Sequence, residues 1–234
     1  MTVFKVLCWI GGILLFWGFF QLPSKSGDVA SRQTLSISEE PDRIVLGWSG
    51  PVQEPMSERV AAALDRYKAD RRRLVLILNS PGGSIEHGRK VVATIRGRDR
   101  AIDTLVQKAG VCASMCVPIF LAGTRRMADP EAYFMFHQAS LNIRTRDIIK
   151  RQELSASDQD FLSQAVKTIE TIEAQATEDL FRNDIGIRGV SAAWLTMMRK
   201  KISGHDVWVS GQQLVDEGSG IVDNLVRTPV PQRG

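Results

Sequence analysis

Histidine is scarce in this chain. There are three in 234 residues, so chemistry that needs an imidazole near neutral pH must use His87, His137 or His205. Cysteine is equally scarce. Cys8 falls in an apolar stretch, and Cys112 and Cys116 stand four apart with no further His or Cys pair to complete a tetrahedral set, so neither a metal site nor a cofactor is expected. A disulfide between Cys112 and Cys116 would have to cross one helical turn, a tight span even in an oxidising compartment, and two buried thiols are the expected state. Stripes of mixed basic and aromatic residues are missing too. Arg71, Arg72 and Arg73 form one short run that reads as a solvated turn before a strand, and no nucleic-acid partner is expected. Internal repeats and low-complexity tracts are absent.

Charge is missing from one place in particular. No charged residue occurs from Val6 to Phe20, and Lys5 is the only one from Val3 to Leu22. Such a stretch can bury itself in a bilayer core about 30 Å thick, with Trp9 and Trp17 towards the interfaces. A cleaved signal peptide would favour small residues in an Ala-x-Ala arrangement, which Asp28-Val29-Ala30 fits poorly. Residues 1–22 therefore read as an uncleaved, single-pass signal anchor in the inner membrane, with the rest of the chain on the periplasmic or extracytoplasmic side. Residues 23–43 are polar and serine-rich and read as a linker. A domain is expected over 44–228, and 229–234 form a tail.

What remains is ordinary for a globular protein: 44% hydrophobic, 24% charged, net charge +4. Ile44 to Trp48 and the continuous apolar run Leu74 to Leu78 read as strands, the second buried on both faces. Ser57 is expected to cap a helix through Tyr67, and a further helix ends near Arg96. Ala101 to Val106, Arg126 to Asp129 and Ala132 to Phe136 read as strands. The small apolar residues from Val111 to Ala122 read as a buried helix. A long amphipathic helix is expected over Ser157 to Phe181, with Leu162, Ala165, Ile169, Ile172, Ala176 and Leu180 on one face. Ser191 to Lys201 reads as another helix. Strands interleaved with helices predict an α/β domain with a largely parallel sheet.

Three short phrases carry the chemistry. Gly82-Gly83 follows a buried strand, in Asn79-Ser80-Pro81-Gly82-Gly83, at the end of a strand where α/β sheets usually place their sites. Ser114 lies among small residues in Ala113-Ser114-Met115, at the start of the apolar segment. His137 ends a strand and precedes Gln138. A serine hydroxyl is a weak nucleophile until a base removes its proton, and the oxyanion it creates needs backbone N–H donors that glycine-rich turns supply. Singly, each phrase has a plainer reading as turn, helix cap or structural histidine.

In their order and separations these phrases resemble the proteolytic subunit of the Clp protease, a member of the Clp/crotonase superfamily. The resemblance is good from about Ile44 to Leu141. It implies a single-domain spiral of ββα units, a serine hydrolase acting on peptides or proteins, and a homo-oligomer. Carried over by motif, Ser114 is the nucleophile, His137 the base, and the N–H groups of Gly83 and Met115 the oxyanion donors. The family's aspartate precedes an aromatic and a helix-starting serine. Asp206-Val207-Trp208-Val209-Ser210, followed by Gly220-Ile221-Val222-Asp223, has that form, so Asp206 is the third member, with Asp184 and Asp216 as alternatives. Departures are also present. Cys116 replaces a usual glycine, and the segment between His137 and Asp206 is longer. The family's unfoldase-docking loops give way to the apolar segment and linker, so an ATP-driven unfoldase partner is not expected. Two further readings stay open: a crotonase-like acyl-coenzyme A enzyme, and a non-catalytic scaffold that keeps the motif residues.

Overall fold

The computed structural model describes residues 33–140, 156–187 and 189–229. The proposed anchor at 1–22, the linker up to residue 32 and the tail from residue 230 lie outside the described residues. Among the described residues, no helix is long and apolar enough to cross a membrane.

The continuous apolar run at residues 74–78 lies, as its composition requires, in the middle of a sheet. Strand β3 (Arg73–Asn79) pairs in parallel with β2 (Arg43–Ser49) on one side and β4 (Ile102–Val106) on the other. β6 (Arg126–Ala128) and β9 (Asn224–Leu225) extend the sheet in parallel beyond β4. Helix α1 (Met56–Arg66) connects β2 to β3, and α2 (Ile85–Arg96) connects β3 to β4. Ile44, Leu46, Trp48, Leu74, Leu76 and Leu78 are buried beneath them. α1 begins after a turn closed by the Met56 N–H and the Gln53 carbonyl (2.8 Å), so Ser57 lies inside the helix instead of capping it.

Two stretches differ from the sequence expectation. Thr34–Glu39, assigned to the linker, is strand β1, antiparallel to β2 in full register from Thr34↔Ser49 to Glu39↔Ile44. The ordered domain therefore begins at least ten residues before Ile44. Val111–Ala122 is not one helix. Val111–Ala113 forms strand β5, a turn follows, and only Cys116–Leu121 is helical (α3). Strand pairing decides this. β5 lies parallel to β7 (Tyr133–Phe136), and β7 is antiparallel to β8 (Val207–Ser210), making a separate three-stranded sheet in the order β5-β7-β8.

The small sheet packs its inward face on the core. Phe134 meets Phe120 of α3 edge-on (5.2 Å between centroids), and Phe136 meets Trp194 of α5 (Ala192–Lys201) in the same way (5.3 Å). Edge-on stacking of this kind adds about 0.5–1.5 kcal/mol beyond area burial. Ser191 caps α5, accepting from the Trp194 N–H. Ser210 caps α6 (Gly211–Asp216) with a full capping box to Gln213. Helix α4 (Ala156–Asp179) runs into a π-helical turn, Leu180–Ile185. Its expected apolar face is not buried along its length: no side chain from Ser163 to Ile172 is buried, and Ile172 is exposed. The helix seats on the domain through its last turns, where Glu173, Thr177 and Leu180 are buried.

Candidate active site

Strand direction explains why three distant residues meet. β5 and β7 run parallel, so their carboxyl ends share one end of the small sheet, and antiparallel β8 starts at that end. Ser114 follows Ala113, paired with Met135. His137 follows Phe136, paired with Val207. Asp206 precedes Val207. One edge of one sheet thus presents all three.

Ser114 occupies the turn between β5 and α3 with φ +53°, a backbone region side chains with a Cβ seldom adopt. Its N–H donates to the Met135 carbonyl (2.8 Å), and its carbonyl accepts from the Val117 N–H (2.9 Å). The turn projects the hydroxyl at His137, whose Nε2 lies 2.7 Å from Ser114 Oγ. With the ring proton on Nδ1, Nε2 accepts the hydroxyl hydrogen, the arrangement a general base needs before attack. Asp206 stands on the other side of the ring. Its Oδ1 is 3.9 Å from His137 Nδ1, an ion-pair distance longer than a hydrogen bond, and its side chain is 61% exposed. The alternatives have other partners. Asp184 is bound by Arg89 (2.6 Å to Nη2), and Asp216 accepts from Gln212 (2.8 Å).

The glycine turn comes from the large sheet and is sewn to the small one. The Ser80 N–H donates to the Val111 carbonyl (2.7 Å), and the Ala113 N–H returns to the Ser80 carbonyl (3.0 Å). A Cβ on Gly82 would lie 2.5 Å from the Ala113 carbonyl oxygen and 2.7 Å from Ser114 Cβ, so glycine is what permits the two turns to abut. Gly83 has φ +151°, and a Cβ there would strike the Val52 carbonyl at 2.3 Å. Neither the Gly83 nor the Met115 N–H has a protein acceptor among the described residues. Two donors beside a serine hydroxyl are what a developing oxyanion requires.

A pocket of about 330 Å³ opens here, walled by Pro81, Gly83, Ile85, Met135, Ser140 and Leu180 around Ser114 and His137. The sequence places Leu180 on a helix face and gives no site role to it, to Ile85 or to Met135. The wall at Leu180 is held by Thr177, whose hydroxyl accepts from the Ala139 N–H just past His137 (2.9 Å) and donates to the Glu173 carbonyl (2.7 Å). His87 is not among the pocket residues. Cys112 and Cys116 are not free thiols: they form a disulfide, both residues fully buried. The expectation of thiols followed from reading 111–122 as one helix; in the observed strand–turn–helix the two Cα atoms approach to 5.2 Å, inside the range a disulfide spans.

A family model described as Clp protease matches residues 33–186. The ATP-dependent Clp protease proteolytic subunit 1 of Streptomyces avermitilis is 31% identical over 185 residues, covering 76% of this chain and 78% of that one. Subunit 2 of Bifidobacterium longum is 28% identical over 199 residues, covering 80% and 81%. Among solved structures, a ClpP1 mutant from Listeria monocytogenes superposes with a TM-score of 0.57 at 17% identity, over 80% of this chain and 92% of that chain, which is a likeness of fold.

Proposed function

The chain belongs to the Clp protease family, and from that membership we propose that it is a serine peptidase with Ser114 as nucleophile, His137 as base and Asp206 as the group that orients His137. Ser114 Oγ attacks the scissile carbonyl while its proton passes to His137 Nε2. The tetrahedral oxyanion takes hydrogen bonds from the N–H groups of Gly83 and Met115. His137 then returns the proton to the departing amine, and water releases the acyl group by the same steps in reverse. The observation that carries this reading is the 2.7 Å contact between His137 Nε2 and Ser114 Oγ. Asp206 supports it more weakly, and the reading requires its carboxylate to close on Nδ1 as substrate binds.

The reading extends to a homo-oligomer that works without ATP, tethered to the inner membrane by residues 1–22 with its site on the extracytoplasmic side. The tether rests on the uncharged run from Val6 to Phe20.

A serine-directed fluorophosphonate tests the chemistry. Labelling of the full chain that disappears in Ser114→Ala, together with ATP-independent cleavage of unstructured protein, is the expected result. An unlabelled wild type would favour the scaffold reading. For the tether, the chain should stay with membranes after an alkaline wash, and recovery in the wash would refute the anchor.

A further inference from the structure

The disulfide closes a covalent ring around the residue the site depends on. Cys112 lies in β5, paired with Phe134 and bridged to Ser80, and Cys116 is the first residue of α3. Between them stand only Ala113, Ser114 and Met115, which hold the hydroxyl and one of the two unengaged N–H donors. Both cysteines have no exposed surface, so the bond sits under the turn and not on the outer face.

We propose that the Cys112–Cys116 disulfide is the positioning device for Ser114 and Met115, so that the hydrolase site is competent only in the oxidised chain. Geometry supplies the reason. Four residue steps can span roughly 13–14 Å when extended. A disulfide restricts the same Cα pair to about 4.4–6.8 Å, so the bond removes every extended form of the turn. What else holds the turn is backbone hydrogen bonding, from the Ser114 N–H to the Met135 carbonyl and from the Val117 N–H to the Ser114 carbonyl. Ser114 has positive φ, and no side chain caps α3, whose cap position is Met115 itself. Neighbouring parts leave no slack to absorb a shift: the Ala113 carbonyl and Ser114 Cβ abut Gly82, and Gly88 of α2 lies against the Met115 side chain, where an added Cβ would come within 2.2 Å of Met115 Cγ. A turn that relaxes therefore moves the hydroxyl and the Met115 N–H away from His137 and Gly83 together.

The chemical change is a two-electron reduction. A dithiol reagent delivers two electrons and two protons, Cys112 and Cys116 become thiols, and the reagent closes into its own cyclic disulfide. The consequence is compartmental: the site works where disulfides persist and fails where a thiol pool reduces them.

This inference rests on Ser114 being the nucleophile, and its test separates the two. In the full chain, fluorophosphonate inactivation is resolved into a maximal rate and a half-saturating concentration. Three samples are compared: the oxidised protein, protein reduced with dithiothreitol with its thiols counted by alkylation and mass, and Cys112→Ala/Cys116→Ala. The maximal rate should fall at least about tenfold in both altered forms, with half-saturation within about twofold, as expected of a displaced nucleophile in an intact pocket. Amide exchange at residues 114–117 should accelerate while β2 and β3 keep their protection. Unchanged rates in either altered form overturn the proposal. So does a loss of rate matched by loss of protection in β2 and β3, which would make the bond a general staple, and so does a purified chain with no disulfide. An oxidised chain that never labels refutes the peptidase reading instead, and the exchange comparison, readable in the reduced wild type even where the double variant does not fold, then decides the disulfide's role alone.

Discussion

The six-stranded sheet and the three-stranded sheet of this protein do different work. In the large sheet β2 and β3 bury Ile44, Leu46, Trp48, Leu74, Leu76 and Leu78, and its contribution to the site is the Gly82–Gly83 turn at the end of β3. The small sheet has four-residue strands at most, and on its outer face Tyr133 and Trp208 are about half exposed. Yet Ser114, His137 and Asp206 all sit at one of its ends. The two sheets meet at the Ser80–Cys112 bridge, where the glycine turn of the large sheet lies against Ser114 of the small one. A parallel–antiparallel triplet brings a serine, a histidine and a carboxylate to one edge, and the parallel sheet behind it places the glycine turn beside them.

Substitutions should fall on one side of this division or the other. The largest effect belongs to Ser114→Ala, which should remove about four orders of magnitude or more of peptide turnover. Its thermal midpoint should barely move, and a large fall would break the separation. Leu76→Ala should show the converse. A fully buried leucine in the central strand costs about 2–5 kcal/mol of unfolding free energy, while the phosphonate labelling rate per folded molecule stays as in wild type. Asp206→Asn comes next, with turnover down about tenfold to a hundredfold, less than for a fully engaged triad carboxylate because Asp206 stands exposed and 3.9 Å from the ring. A loss as large as that of Ser114→Ala would mean that the carboxylate is fully engaged during turnover.

The smallest effect probes the loops that follow β6 and β9. Asp129 follows β6 and is buried. Burial pushes its carboxyl up, but the N–H groups of Glu131 and Thr228 and the Thr228 hydroxyl outweigh that and hold it below the ordinary carboxylate value. A carboxyl whose folded value is depressed adds stability that is fully present above its unfolded value, about 3.9, and is lost as pH falls through the lower folded value. Asp129→Asn should cost about 1–3 kcal/mol near neutrality and flatten the acid limb of stability in denaturant titrations below about pH 4, with labelling unaffected.

How much of this was legible in the sequence depends on how local the determinants were. The uniform apolar run of β3 needs no partner to be recognised, and Ser114 and His137 lie in short phrases whose wording survives wherever the chain goes. β1 escapes a reading by pattern because it is an edge strand exposed at every residue but Leu35, and the hydroxyl-rich Thr34-Leu35-Ser36-Ile37-Ser38-Glu39 resembles a linker. Val111-Cys112-Ala113 was read as helix because a short run of small apolar residues fits both forms, and only β7, some twenty residues on, decides between them. That single error hid the disulfide as well, since its cysteines meet across a strand-to-helix turn. Leu180 was assigned to a helix face correctly, but its place in the pocket depends on the π-helical turn and on Thr177 reaching Ala139, which no periodicity encodes.

That pocket wall has a mechanical consequence. Leu180 follows directly on a 24-residue helix, about 36 Å long at roughly 1.5 Å per residue. Near this end the helix is held by Thr177 to Ala139, by Asp179 to Arg89 and by Glu178 to Arg199. Because Leu180 both continues this helix and lines the pocket, any shift of α4 about its last turn would carry Leu180 with it and change the width of the pocket mouth.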